Sequence, residues 1–196
     1  MSEISWFPVA RDEDLDEYAR EIWQKCDERI GFVPNVFRAY AWRGERFQRW
    51  LKYFNHVTHP SDTLGAAERE MIAVAVSMEN RCLYCLVAHG CELREVLGHP
   101  ILGETITLDW RRAPLSDRHR AMLAYAVKVA NEPRECTRAD IDALDAHGFS
   151  DEDVWDIAEI ASLYSATNRM AMAAGFIPND CYHGAARGPS GSRDDG

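Results

Sequence analysis

Apolar residues that recur at three- and four-residue steps, segment after segment, confine this chain to helices. Leu15, Tyr18, Ala19, Ile22, Trp23 and Cys26 follow that rhythm, which predicts an amphipathic helix over Asp12 to Arg29 that Gly31 ends. Val33-Pro34-Asn35 supplies a turn, and Asn35 is placed to cap a second helix through Phe37, Tyr40, Phe47, Trp50, Leu51 and Phe54. Gly44 is expected to bend or divide it. The rhythm returns from Leu64 to Met78, breaks at Glu79-Asn80-Arg81, and resumes from about Cys82 to Gly98.

Ser116 opens another helix. Thr137 with Asp140, and Ser150 with Asp153, have capping-box spacing with Asp in place of Glu, so helices are expected after Thr137 and after Ser150, the last running to about Gly175. The nearest strand candidate, Glu104 to Trp110, is short and isolated, which makes the all-α reading the economical one.

A chain of 196 residues with 46% hydrophobic content can build one core, so residues 1–186 are read as a single domain. Residues 187–196 are Gly, Ser, Pro and charge, the composition of a disordered tail. The net charge of −10 disfavours nucleic acid and anionic membrane surfaces, which need a basic face to displace their counterions. No stretch approaches the ~18 apolar residues of a membrane span, and Met1 to Arg20 is acidic where a signal peptide is basic and then apolar. A cytoplasmic location is therefore expected. The six cysteines are irregularly spaced, unlike a disulfide framework, and only Cys82 and Cys85 form a close pair.

A register that sets Leu64 against Leu115 also matches Arg69 with Arg120, Met71 with Met122, Ala73 with Ala124, Val76 with Val127 and Asn80 with Asn131. A duplicated helical unit explains this, and so does chance similarity between Ala-rich amphipathic helices. Opposite Glu70 stands Ala121, and nothing after Asn131 repeats the cysteine pair. If the unit is duplicated, Glu70 and the cysteines are additions to one copy.

Cys82, Cys85 and His89 are separated by three and then four residues, which stacks their side chains on one helix face. A thiol in the first turn of a helix feels the positive end of the macrodipole, and a nearby imidazole can take its proton; both favour the nucleophilic thiolate. A second thiol close by can condense with an oxidised one to a disulfide. Two rival readings stand beside this one. Helical cysteines are often small core residues, and Cys, Cys, His and Glu can form a zinc tetrahedron, although structural zinc usually draws on two separated ligand pairs.

Glu70, from the preceding helix, is either a carboxylate that orients His89 or a solvated residue like Glu68. Cys91, Cys26, Cys136 and Cys181 read as packing residues, and His56 and His59 as a surface loop pair. The aromatic stripe Trp42, Phe47, Trp50, Tyr53 and Phe54 reads as core or subunit interface, with a pocket for an organic substrate as the alternative.

Glu70, eleven residues, Cys82-x-x-Cys85, three residues and His89 together resemble the active-site pattern of the alkylhydroperoxidase D family, within the carboxymuconolactone decarboxylase superfamily. Ala75-Val76-Ser77 and Asn80 through Cys85 resemble its core motif. Gly31 to Asn35, Asn168-Arg169 and Gly175 to Pro178 are similar to its subgroup of peroxidase-related proteins.

The resemblance implies an all-α, alkylhydroperoxidase D-like fold and thiol-dependent reduction of hydrogen peroxide or organic hydroperoxides. It further implies Cys85 as the peroxidatic thiol, Cys82 as its disulfide partner, and His89 and Glu70 as the proton relay. An external dithiol reductant, lipoyl- or thioredoxin-like, and a homo-oligomer, trimer or hexamer, complete the expectation. No cofactor and no metal is expected. Best-known members carry a further histidine just before the second cysteine; here Tyr84 stands in its place, so relay and rate are expected to differ. The decarboxylase branch lacks the cysteine pair, which argues against lactone decarboxylation.

Overall fold

A computed structural model describes residues 4–188. Among them are ten α-helices: α1 Glu17–Ile30, α2 Asn35–Ala41, α3 Glu45–Val57, α4 Ala66–Glu79, α5 Leu83–Leu97, α6 Pro100–Asp109, α7 Asp117–Asn131, α8 Arg138–Ala146, α9 Asp151–Ala173 and α10 Cys181–Gly184. No strand is formed among the described residues beyond an isolated bridge at Ser5. The expected tail lies outside the described residues from position 189 on, while Arg187 pairs with Glu104 at 2.8 Å.

Local chemistry explains most boundaries. α1 begins later than its apolar rhythm suggested, because Asp16 caps it by accepting the Ala19 N–H at 2.8 Å, and Asp12–Asp14 forms a separate 3-10 turn. Gly31, at φ 78°, closes it in the left-handed conformation. Asn35 does not cap α2. It is the helix's first residue, and its own N–H is bonded at 2.7 Å by the side chain of Asn179, far along the chain. Gly44, at φ 48°, separates α2 from α3. Thr137 and Ser150 form the expected capping boxes with Asp140 and Asp153.

The strand candidate belongs to α6. Buried Gly103, Ile106 and Thr107 of α6, with Trp110 in the 3-10 turn that follows it, recur at helical spacing, and packing outweighs the β-branched local preference. Gly103 is where α6 meets α5 closely: a Cβ there would lie 2.9 Å from the Arg94 Cα and 3.1 Å from its backbone nitrogen. Gly103→Ala is therefore expected to separate the two helices and cost roughly 1–3 kcal/mol of stability, measurable by urea denaturation.

At the centre runs α4, whose Ile72, Ala73, Val74, Ala75 and Val76 are fully buried. A helix apolar all round must be enclosed, and α5, α6, α7 and α9 enclose it. α7 takes an equivalent place against α9. The matched arginines also behave alike: Arg69 donates to the Leu64 carbonyl at 3.0 Å and to that of Val57 at 2.7 Å, and Arg120 to the Ala113 carbonyl at 2.6 Å and that of Arg111 at 3.0 Å. Each ties down the chain that leads into its helix. A second apolar cluster surrounds Cys82 and Cys85, and a third joins α1, α2 and α3 through Trp23, Phe47 and Leu51.

Candidate active site

The site forms where α4 turns into α5. Asn80 ends α4, and Arg81 takes a left-handed φ of 55°, which brings the Cys82 N–H back to the Ser77 carbonyl at 3.0 Å. That turn makes Cys82 the N-cap of α5. Cys85 and His89 follow along the same helix face. Glu70, one helix earlier, meets His89 with its Oε2 2.9 Å from Nδ1. All four predicted site residues are thus brought together, and the solvated reading of Glu70 is overturned. Glu68 is not free either: it accepts the Gly65 N–H at 2.8 Å and lies 3.6 Å from His119.

Both cysteines are buried and unbridged. The Cys82 pKa falls to about 7, first because the Cys85 thiol donates to its sulfur, then through the backbone N–H groups of Cys85 and Tyr84 and the charge of His89; burial opposes the change. Cys85 is pushed up for the complementary reason, since its thiol proton is held by Cys82, and burial adds to this. The pair therefore holds one proton between two sulfurs as a coupled unit. Burial disfavours a charged His89, but the charge and hydrogen bond of Glu70 outweigh it, and the imidazole titrates above its ordinary value.

Iodoacetamide should consequently alkylate the reduced protein at a rate that rises as pH increases through about 7, with Cys82 labelled before Cys85. Peptide mapping across pH 5–9 checks both parts.

Cys85, His89 and Glu92 line an apolar cavity of about 220 Å³, with Tyr40, Trp50 and Phe54 opposite. Cys82 instead borders a separate cavity of about 230 Å³, beside Arg81 and Met172. The aromatic stripe therefore divides: Phe47 is core, Trp50 and Phe54 face the cavity, and Trp42 and Tyr53 are exposed. Cys26 and Cys91 are buried as expected, whereas Cys136 is only partly buried and Cys181 is exposed at the start of α10, so neither packs as a core residue. His56 is exposed but lies in the last turn of α3, whereas His59 is in the loop as expected.

Of the neighbours, Tyr164 escaped the sequence reading, whereas Ser77, Tyr84 and Asn168 stood in its motifs without an assigned contact. Tyr164 of α9 lies edge-on to His89, with ring centroids 4.8 Å apart and its hydroxyl 3.4 Å from Nδ1. Ser77 donates to the Asn168 Oδ1 at 3.1 Å and contacts Cys85. Tyr84 takes no part in the Glu70–His89 pair; its hydroxyl accepts the Val36 N–H at 3.1 Å and ties α2 to α5. Among the described residues, no group of three or more His, Cys, Asp or Glu is arranged to hold a metal ion. No helix among them is long and apolar enough to cross a membrane.

Residues 45–97, which carry Glu70, both cysteines and His89, match the model of the carboxymuconolactone decarboxylase family. No curated protein matches the chain. Among solved structures, an alkylhydroperoxidase AhpD core, an uncharacterized peroxidase-related protein from Ralstonia eutropha JMP134, is 38% identical, with 97% of this chain and 100% of that chain covered and a TM-score of 0.92. An uncharacterized peroxidase-related protein from Silicibacter sp. TM1040 is 40% identical over 95% of this chain and 100% of that one, with a TM-score of 0.87. The debrominase Bmp8 shares the fold at 15% identity, over 95% and 97% of the two chains, with a TM-score of 0.77. A helical scaffold of this topology, with the Cys82–Cys85 pair at its heart and relatives of this closeness, places the chain in the AhpD-like, peroxidase-related group of the carboxymuconolactone decarboxylase family.

Proposed function

We propose that the protein is a dithiol peroxidase that reduces hydroperoxides with Cys85 and Cys82. The observation that carries this reading is Cys85 at the wall of an apolar cavity, with the His89–Glu70 pair beside it and a second thiol within hydrogen-bond reach. In the first step the Cys85 proton passes to Cys82, and the Cys85 thiolate attacks the terminal oxygen of ROOH. The O–O bond breaks, the sulfur becomes a sulfenic acid, and the leaving alkoxide takes a proton from the His89–Glu70 pair to depart as ROH. The Cys82 sulfur then attacks the sulfenic sulfur, forming the disulfide and releasing water. An external dithiol protein, lipoyl- or thioredoxin-like, returns two electrons and two protons.

Mass spectrometry of the Cys82–Cys85 peptide tests this directly. One equivalent of an organic hydroperoxide should convert both thiols to a disulfide. Thiols that stay free under that treatment would sink the proposal.

A second reading, a disulfide oxidoreductase with little peroxide activity, is favoured by one observation: the thiol at the helix N-terminus, Cys82, is the more acidic of the two. Faster exchange with a protein disulfide than with any hydroperoxide would select it. Assembly into a trimer or hexamer belongs to both readings, supported by Ile101 and Leu108, 76% and 70% exposed and two turns apart on α6.

A further inference from the structure

The cavity beside Cys85 has one charged wall residue that the peroxide chemistry leaves unused. Glu92 stands one turn beyond His89 on α5, on the face already occupied by Cys85, Ala88 and His89. Among the described residues no hydrogen bond or ion pair holds its carboxylate. Burial, and then the neighbouring charge of Glu70, push its pKa above the ordinary carboxylate value. No Lys or Arg lines the cavity.

The opposite wall is aromatic, with Tyr40 and Trp50 stacked 4.1 Å apart and their planes within 8°. A dry cavity of roughly 150 Å³ takes up benzene, so about 220 Å³ accommodates a single ring with short branches.

We propose that this cavity selects uncharged, aromatic or branched organic hydroperoxides, and that Glu92 is the residue that turns away hydroperoxides bearing a carboxylate. The proposal rests on the dithiol peroxidase reading. An apolar ring gains by leaving water for the wall formed by Tyr40, Trp50 and Phe54. A carboxylated one would bring a further negative charge next to Glu92, and the one titratable base in the wall, His89, is already paired with Glu70 at 2.9 Å. Selection here comes from a repulsive element as much as from an attractive one.

Second-order rates of disulfide formation in the reduced protein, for cumene hydroperoxide and for its para-carboxylate analogue, test the idea. The neutral compound should react at least about tenfold faster, and in Glu92→Gln that ratio should fall severalfold toward one. Equal rates in the unmodified protein, or a ratio that the substitution leaves unchanged, would overturn the inference.

Calorimetric titration of the reduced protein with the two product alcohols gives a readout free of catalysis. The neutral alcohol should bind more tightly than the carboxylated one, with the preference reduced in Glu92→Gln. If neither hydroperoxide oxidises the cysteines, the peroxidase reading fails, and the alcohol titration still decides the selectivity of the cavity. Absence of binding by both alcohols would overturn the selectivity as well.

Discussion

Cys85→Ser should lower the second-order rate of hydroperoxide reduction by on the order of 10³-fold or more, as read by stopped-flow peroxide consumption. Serine keeps the volume but has no accessible anion near neutral pH, and Cys85 is the sulfur that borders the aromatic cavity. Cys82→Ser should behave differently. The first attack survives, but with no partner to form the disulfide the sulfenic acid persists at Cys85, where a dimedone adduct will mark it. The pair of variants is a strict test, because the electrostatics favour the thiolate at Cys82 while the cavity lies at Cys85. An adduct on Cys82 in the Cys85→Ser protein, with peroxide still consumed, would exchange the two roles.

The second large effect concerns stability. Arg69→Ala should cost roughly 2–4 kcal/mol, seen as a fall in the urea midpoint with an unchanged slope. The buried guanidinium donates to the carbonyls of Val57 and Leu64 and pairs with Asp156 at 2.5 Å. Removing it strips their partner from the Val57 carbonyl at the end of α3 and the Leu64 carbonyl just before α4. The Asp156 contribution is smaller, since its side chain is 36% exposed and water can replace the arginine. Arg69→Lys should recover only part of the loss, because one ammonium cannot reproduce the guanidinium fork.

Helices and caps were readable in the sequence because their causes are local. Gly31, Gly44, Thr137 and Ser150 act on their immediate neighbours, and each does what its residue type dictates. The Cys82, Cys85 and His89 face was readable for the same reason, as three residues of one helix. Glu70 was different: its own helix left open whether it orients His89 or is solvated like Glu68, and its position in the family motif favoured the first. Asn35 misled because its partner, Asn179, lies 144 positions away. Tyr164 carries no local mark, since its contact with His89 comes from α9 and α5 packing against each other. The cavity likewise exists only once α2, α3, α5 and α9 meet.

Tyr164 has a consequence of its own. It is among the largest fully enclosed side chains, packed in the central apolar cluster with Ile157, Ile160 and α4, and it is also the ring that abuts His89. Through that ring the imidazole is braced against the central core, and so borrows the rigidity of the scaffold.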